Sequence, residues 1–363
     1  MINSHIVVGA GFSGATIARQ LADRGETVVV LERLPHIAGS AFDYKDKNKI
    51  TVHKYGSHIF HTSNAEVWHF VRRFGEFNTY MHKVLALIDG NEAFIPFNFN
   101  TIRKVFPQIL AARIEEKLLH KFEYNSRIPI CEFQKQNDKD LQFLAKYIYE
   151  KVFVEYTKKQ WELSHVDAAV TARVPVVIGT DSRYFKDIYQ GIPLKGYTNL
   201  IGNILDHKNI QVRLCESIDA ISECKNFKAV YHTGSIDEFF DYKFGVLPYR
   251  SLKFEHHSLE MQYYQKNSVV NYPCNYDFTR VHEFKYYLNE ASSKTSVMFE
   301  YPQNFEVGKN DRYYPIENEE NNLLYTKYLQ EANKIGNLYF LGRLGDYKYY
   351  DMDKAIERAL KIL

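Results

Sequence analysis

Cysteine is scarce: Cys131, Cys215, Cys224 and Cys274 among 363 residues, with no C-x-x-C pair. That excludes a disulfide scaffold and a thiolate metal centre, and free thiols in a reducing cytoplasm are the expectation. Neither sign of charge dominates. Forty-six Lys+Arg against 44 Asp+Glu leave a formal +2, so no electrostatic nucleic-acid footprint is expected. No apolar run reaches the roughly 18 residues of a membrane helix. The first such run, His5 to Val8, leads into a glycine turn and reads as a strand rather than a secretion leader. Tryptophan occurs twice, yet 28 Tyr and 25 Phe make the chain rich in flat rings and hydroxyl donors. With 45% hydrophobic and 25% charged residues the composition is that of an ordinary globular protein of two or three domains.

The first forty residues carry the clearest pattern. Ile6 to Val8 ends in Gly9-Ala10-Gly11-Phe12-Ser13-Gly14. Ala15, Ala18, Leu21 and Ala22 then recur at helical spacing, with Gly25 as the stop, and Thr27 to Leu31 is a second apolar strand closed by Glu32. This is a βαβ unit with G-x-G-x-x-G in its first turn. Gly9 allows the tight turn, Gly11 the approach of a pyrophosphate, and Gly14 the packing of helix on strand. The helix N-terminus offers N–H groups to phosphate. Glu32, 18 residues past Gly14, is placed to accept from a ribose hydroxyl. Dinucleotide binding follows.

Farther along, residues 79–98 alternate about Asp89-Gly90, a hairpin signal. Residues 101–170 are helical in pattern. The turn-rich stretch 171–198 reads as a functional loop, mobile near 171–185. Strand-like runs recur from 227 to 300, and Leu338 to Leu341 is a last strand before a helix that Asp351 would cap. The expected fold is α/β: a discontinuous Rossmann-type FAD-binding domain (1–80, 196–240, 333–363), a helical insertion (99–183), and an antiparallel sheet domain (81–98, 241–332).

Ordered blocks run along nearly the whole chain: His36-Ile37-Ala38-Gly39-Ser40, Tyr55-Gly56-Ser57-His58-Ile59-Phe60-His61-Thr62, Ile95-Pro96-Phe97-Asn98 and Tyr156-Thr157-Lys158-Lys159-Gln160-Trp161. After them come Arg173-Val174-Pro175-Val176, Arg183-Tyr184-Phe185, Tyr189-Gln190-Gly191, Asn271-Tyr272, Thr279-Arg280-Val281-His282-Glu283, Tyr313-Tyr314-Pro315 and Gly342-Arg343-Leu344-Gly345 through Met352. In these blocks the chain resembles the bacterial UDP-galactopyranose mutases. The resemblance implies an isomerase that interconverts pyranose and furanose forms of a nucleotide sugar through a sugar adduct at N5 of reduced FAD. It also implies a cytoplasmic homodimer, joined through the helical insertion, serving polysaccharide assembly. UDP-galactopyranose is the leading substrate. The same reaction on TDP-fucopyranose or UDP-N-acetylgalactosamine is the alternative. An amine-oxidase-type flavin oxidoreductase and a silent nucleotide-sugar-binding flavoprotein are the rivals.

The family's roles fall on definite positions here. Arg173 and Arg280 match the arginines that grip the leaving diphosphate, work suited to a guanidinium fork. Tyr184, Tyr314 and Tyr349 match phosphate-binding tyrosines, and Tyr156 and Trp161 match the uracil and sugar walls. His58 and His61 are expected beside the flavin, and His82, Asn271 and Asp351 at the substrate. A zinc reading of the two histidines fails for want of a third ligand, and no metal is expected. Arg343 resembles the arginine facing the FAD pyrophosphate. Gly9, Gly11, Phe12, Ser13, Gly14, Glu32, Arg33, Gly39, Ser40, His58 and Met352 complete the cofactor set. Departures from the family pattern are Ala38, Ser40, Ser57, Glu155, Val177 and Ser235. They bear on the choice of sugar or base more than on the reaction.

Overall fold

The computed structural model describes residues 4–154, 175–218 and 221–363. The first apolar run is the strand Ser4–Val8, central in a five-stranded parallel sheet. The order across it is Ile210–Leu214, Thr27–Glu32, Ser4–Val8, Ala229–His232, Leu338–Phe340. Val7 stands between Val30 and Tyr231. A central parallel strand is covered on both faces, which is why this one is apolar throughout Ile6 to Val8.

The helix Phe12–Asp23 buries Ala15, Ala18, Leu21 and Ala22. It ends where Gly25, at φ +89, donates to the Ala22 carbonyl at 2.9 Å. The last helix, Met352–Leu360, lies beside it, and Gln20 Nε2 donates to the Ala359 carbonyl at 2.9 Å. Both ends of the chain therefore build one layer.

A seven-stranded sheet stands apart from the first, in the order Tyr314–Pro315, Tyr249–Leu259, Thr295–Asn304, Arg280–Glu283, Val269–Asn271, Val84–Ile88, Asn91–Ile95. Its neighbours are antiparallel except Val269–Asn271 against Val84–Ile88, which run parallel. The hairpin 84–95 closes through Asp89 and Gly90 at φ +46 and +79, the left-handed pair of a type I′ turn.

The helices Phe99–Val105, Gln108–Lys121, Ile130–Gln134 and Lys139–Ile148 enclose a core of Phe97, Ile102, Ile114, Phe133, Leu144 and Val176. Asn98 and Asp138 cap two of them through side-chain bonds to backbone N–H groups. The loop expected over 171–185 differs from that reading. Pro175–Val177 is a strand antiparallel to Arg127–Pro129, and Val176, Val177 and Ile178 are buried. Three consecutive β-branched residues outweigh the flanking proline and glycine. Residues 171–174 lie outside the described residues.

None of the four cysteines is in a disulfide. No helix among the described residues is long and apolar enough to cross a membrane.

Candidate active site

The glycine turn is built as its spacing predicts. A Cβ on Gly14 would lie 1.9 Å from the Gly9 carbonyl oxygen, and one on Gly9, at φ +101, 2.0 Å from Thr233 Oγ1. Both positions therefore demand glycine. Gly11 is different: a Cβ there would come no closer than 3.9 Å to Gly39 Cα. The backbones of Gly11 and Gly39 approach one another closely, and a Cβ on Gly39 would lie 3.3 Å from Gly11 Cα. The N-cap Gly11 offers no side-chain acceptor to the first helical turn, so an anion suits the free N–H groups. Glu32 is buried and already employed: Oε2 accepts the Ala10 N–H at 2.8 Å and Oε1 the Leu34 N–H at 3.0 Å. Each oxygen retains a lone pair for a ribose hydroxyl. These residues fit a dinucleotide.

Several other expected cofactor residues behave less simply. The Phe12 side chain is buried, edge-on to Tyr197, so only its backbone belongs to the turn. Ser13 supports the turn from inside, against Gly342 of the C-terminal segment. Ser40 is exposed in the short turn Gly39–Ala41, and Ala38 before it takes φ +77, a left-handed conformation costly for a residue with a Cβ. Arg33 projects to the surface, 3.8 Å from Glu238. Met352 opens the last helix and packs on the core of the parallel sheet.

His58 precedes the strand Phe60–Thr62 and His61 lies within it. The His58 ring donates from Nδ1 to the Gly56 carbonyl at 2.7 Å, and the His58 backbone N–H donates to His53 Nδ1 at 3.0 Å. Burial first, then the charges of His53 and Arg343, hold His58 down to about 3, so the ring is neutral. His61 Nδ1 lies 2.8 Å from Asp187 Oδ2, and its Nε2 4.0 Å from Asp351 Oδ2. Phe185 stacks on the His61 ring at 3.6 Å and, on its own far side, approaches His82 at 5.6 Å. His82 is buried, and burial, with His282 and Arg280 nearby, takes it down to about 3. The Tyr80 hydroxyl joins His82 Nδ1 to Ser268 Oγ, at 3.1 and 2.6 Å. Tyr184 stands edge-on to His82, and its N–H donates to the His82 carbonyl at 2.8 Å.

Asp351 begins the last helix, but its side chain makes no capping bond there. Its Oδ1 instead accepts the Tyr349 hydroxyl at 3.0 Å. Tyr349 and Tyr314 lie 5.7 Å apart, and the Arg343 guanidinium stands over both rings at 5.1 and 5.6 Å. Arg343 spends its donors on main chain: Nη2 and Nε reach the Tyr350 carbonyl, and Nη1 that of Tyr313. Any hold on a pyrophosphate comes from its charge more than from a free fork. Burial raises Tyr314 and Tyr349 above the ordinary phenol range, with the Glu300 carboxylate adding to it at Tyr314 and that of Asp351 at Tyr349. Both remain protonated donors.

Arg280 opens a strand of the large sheet. Asn271 is its cross-strand partner on one side and Glu300 on the other, so the three side chains share one face. Arg280 Nε lies 3.1 Å from Glu300 Oε1, and Glu300 also accepts from His282 Nε2 at 3.2 Å. Burial pushes Glu300 up, but Arg280 and His282 outweigh it and hold the carboxyl below its usual range. Arg173, Tyr156 and Trp161 lie outside the described residues.

Comparison with known proteins fits this geometry. The UDP-galactopyranose mutase family model matches residues 151–349, and an NAD(P)-binding Rossmann-like domain matches residues 7–74. A Klebsiella pneumoniae protein named as a probable UDP-galactopyranose mutase is 39% identical over 99% of this chain and 94% of its own. The chain belongs to the UDP-galactopyranose mutase family. An Escherichia coli protein named dTDP-fucopyranose mutase is 36% identical over 99% of this chain and 97% of its own. A crystal structure of reduced UDP-galactopyranose mutase shares the fold at TM-score 0.72, with 16% identity over 99% of this chain and 94% of that one. A putative protoporphyrinogen oxidase shares it at 0.58 and 10% identity, so fold alone does not separate the family from oxidases.

Beside the family positions, sequence reading passed over Phe185, Asp187, Ser63 and Glu300. Phe185 and Asp187 lie in or between two matching blocks, which was the available signal. Glu300 had another: an acid directly continuing the apolar strand run Val297 to Phe299, where burial demands a partner.

Proposed function

We propose that this protein interconverts the pyranose and furanose forms of a nucleotide sugar, with UDP-galactopyranose as substrate and FAD as resident cofactor. The observation that carries the reading is one convergence. Arg280, Arg343, Tyr314, Tyr349, His61 and Asp351 approach from the large sheet, the C-terminal turn and the Phe60–Thr62 strand. Gly9, Gly11, Gly14, Gly39 and Glu32 would hold the cofactor. Bound and reduced, FAD supplies the nucleophile that lets a sugar change ring form without net redox change. The chain's own residues do the rest. Arg280 holds the departing diphosphate, steadied by Glu300, and Tyr314 donates a neutral O–H bond to it, as Tyr349 does by turning its hydroxyl from Asp351. Arg343 adds charge from its place over the two rings. Neutral His58 and His82 wall the site without competing for phosphate.

In this reading Arg173 is the second arginine on the diphosphate, and Tyr156 and Trp161 stack on the base and line the site. The helical insertion, 99–183, forms the surface of a homodimer, and the enzyme works in the cytoplasm. The division into cofactor, helical and sheet domains follows the boundaries given above. The 36% identity to a dTDP-fucopyranose mutase keeps a second substrate open. One added group shifts preference by only about 1–3 kcal/mol.

The test is chromatographic turnover of UDP-galactofuranose, UDP-N-acetylgalactosamine and TDP-fucopyranose by dithionite-reduced protein, with oxidised controls. Conversion of UDP-galactofuranose only on reduction is the expected result. Conversion of another of the three moves the substrate. No conversion of any, with flavin bound, overturns the mutase.

A further inference from the structure

Asp187 is a half-buried carboxylate without a task in the roles above. Its Oδ2 meets His61 Nδ1 at 2.8 Å, and its Oδ1 accepts the Ser63 hydroxyl at 2.8 Å. The turn bearing it is tied down by Gln190, the ladder partner of His61, whose Nε2 donates to the Asp187 carbonyl at 2.9 Å. Phe185 lies flat against the imidazole, 14° from parallel. Position, tilt and one nitrogen of the ring are thereby fixed.

The chemistry of the pair then sets the other nitrogen. An ionised carboxylate only accepts, so the proton shared with Asp187 belongs to His61 Nδ1. In the neutral ring Nε2 is left as a lone pair. That atom stands 4.0 Å from Asp351 Oδ2, on the side where the Tyr349 hydroxyl meets Asp351. Two carboxylates flank one imidazole. The less exposed one, Asp187, holds it, and the more exposed one, Asp351, shares its open face.

We infer that Asp187 is a positioning residue that keeps His61 in the Nδ1–H tautomer, so that Nε2 exchanges a proton with the sugar. The inference rests on the mutase reading. When the bond between the anomeric carbon and the ring oxygen breaks, that oxygen needs a proton. When a different hydroxyl closes the new ring, it gives one up. With a proton taken up at Nε2 the ring is an imidazolium. Nε2 gives that proton to the ring oxygen at opening, is left as the lone pair, and takes a proton back from the hydroxyl that closes the new ring, while Nδ1 stays protonated on Asp187 throughout. No proton is consumed.

Asp187→Asn in the flavin-loaded enzyme tests this, because its amide can donate to Nδ1 and so favours the opposite tautomer. We expect kcat to fall on the order of 100-fold, with KM, flavin content and melting temperature close to wild type. Asp187→Glu should recover at least a tenth of the activity, and Ser63→Ala should cost only severalfold, as it removes one anchor of the carboxylate. Nitrogen-15 spectra, with the His61 signals assigned by their loss in His61→Gln, should show Nδ1–H in the wild type and Nε2–H in Asp187→Asn. A kcat within about threefold of wild type for Asp187→Asn overturns the inference. So does loss of flavin or fold in step with activity, or a wild-type spectrum showing Nε2–H. Absence of turnover in reduced wild type would instead fail the mutase reading, while the wild-type spectrum would still decide the tautomer.

Discussion

At the residue scale the glycine turn separates two kinds of necessity. Gly14 lacks a side chain because the protein has no room, the Gly9 carbonyl lying 1.9 Å from where a Cβ would be. Gly11 has room as far as the protein is concerned, and its bareness matters only to a ligand. The two alanine variants should therefore part company. Gly14→Ala should cost about 3 kcal/mol or more through overpacking and lower the yield of folded protein. Gly11→Ala should melt within a few degrees of wild type as apoprotein but bind FAD at least tenfold more weakly, measured by flavin titration. Equal losses of fold in both would mean that Gly11 is a structural glycine. The same scale explains Ala38. Its φ of +77 is a left-handed conformation that glycine would adopt at no steric cost and alanine adopts at a penalty.

Elements decide which residues act together. Asn271, Arg280 and Glu300 are far apart in sequence, yet two antiparallel registers set them in a row across the large sheet. Arg280 consequently has a buried carboxylate behind it, besides the diphosphate of its proposed role. Arg280→Ala would confuse these, since an unpaired buried charge costs about 3–5 kcal/mol by itself. Arg280→Lys keeps a cation near Glu300 and removes the fork. It should leave flavin bound and lower the melting temperature by a few degrees at most, while turnover falls on the order of 100-fold. Near wild-type turnover in that variant would remove Arg280 from the diphosphate site. The strand Pro175–Val177 makes the same point in reverse. Read alone, its neighbourhood is a loop; pairing with Arg127–Pro129 and burial in the helical core make it an edge of that core.

For the whole molecule, buried histidines set the response to acid. His53 and His82 are nearly inaccessible, and burial, with the charge of His282 close to both, takes each down to about 3. In the unfolded chain they titrate near 6.5. Between those values the unfolded state binds more protons, so stability is full above about pH 6.5 and falls as pH drops toward 3. Each contributes a slope of up to about 1.4 kcal/mol per pH unit. Glu300, held below its usual range, adds loss of the same sign only below about pH 4.5. Melting temperatures should be level from pH 8 to 7, then fall by about 5 °C per unit below pH 6. His82→Gln should flatten that slope, and an unchanged slope would show that His82 titrates normally. The division between sequence and fold follows from range. The sequence by itself determined the dinucleotide turn, the type I′ hairpin and the family, because glycine sterics, period-2 alternation and ordered motif blocks are local or collinear properties of the chain. It named Arg280, His61, Tyr314, Tyr349 and Asp351 one by one. Only the tertiary structure decided that Asp351 turns from its helix to Tyr349 and His61, that Glu300 stands behind Arg280, and that Asp187 holds His61. Those are contacts between segments up to 290 residues apart, set by strand register and packing, which no short window of sequence contains.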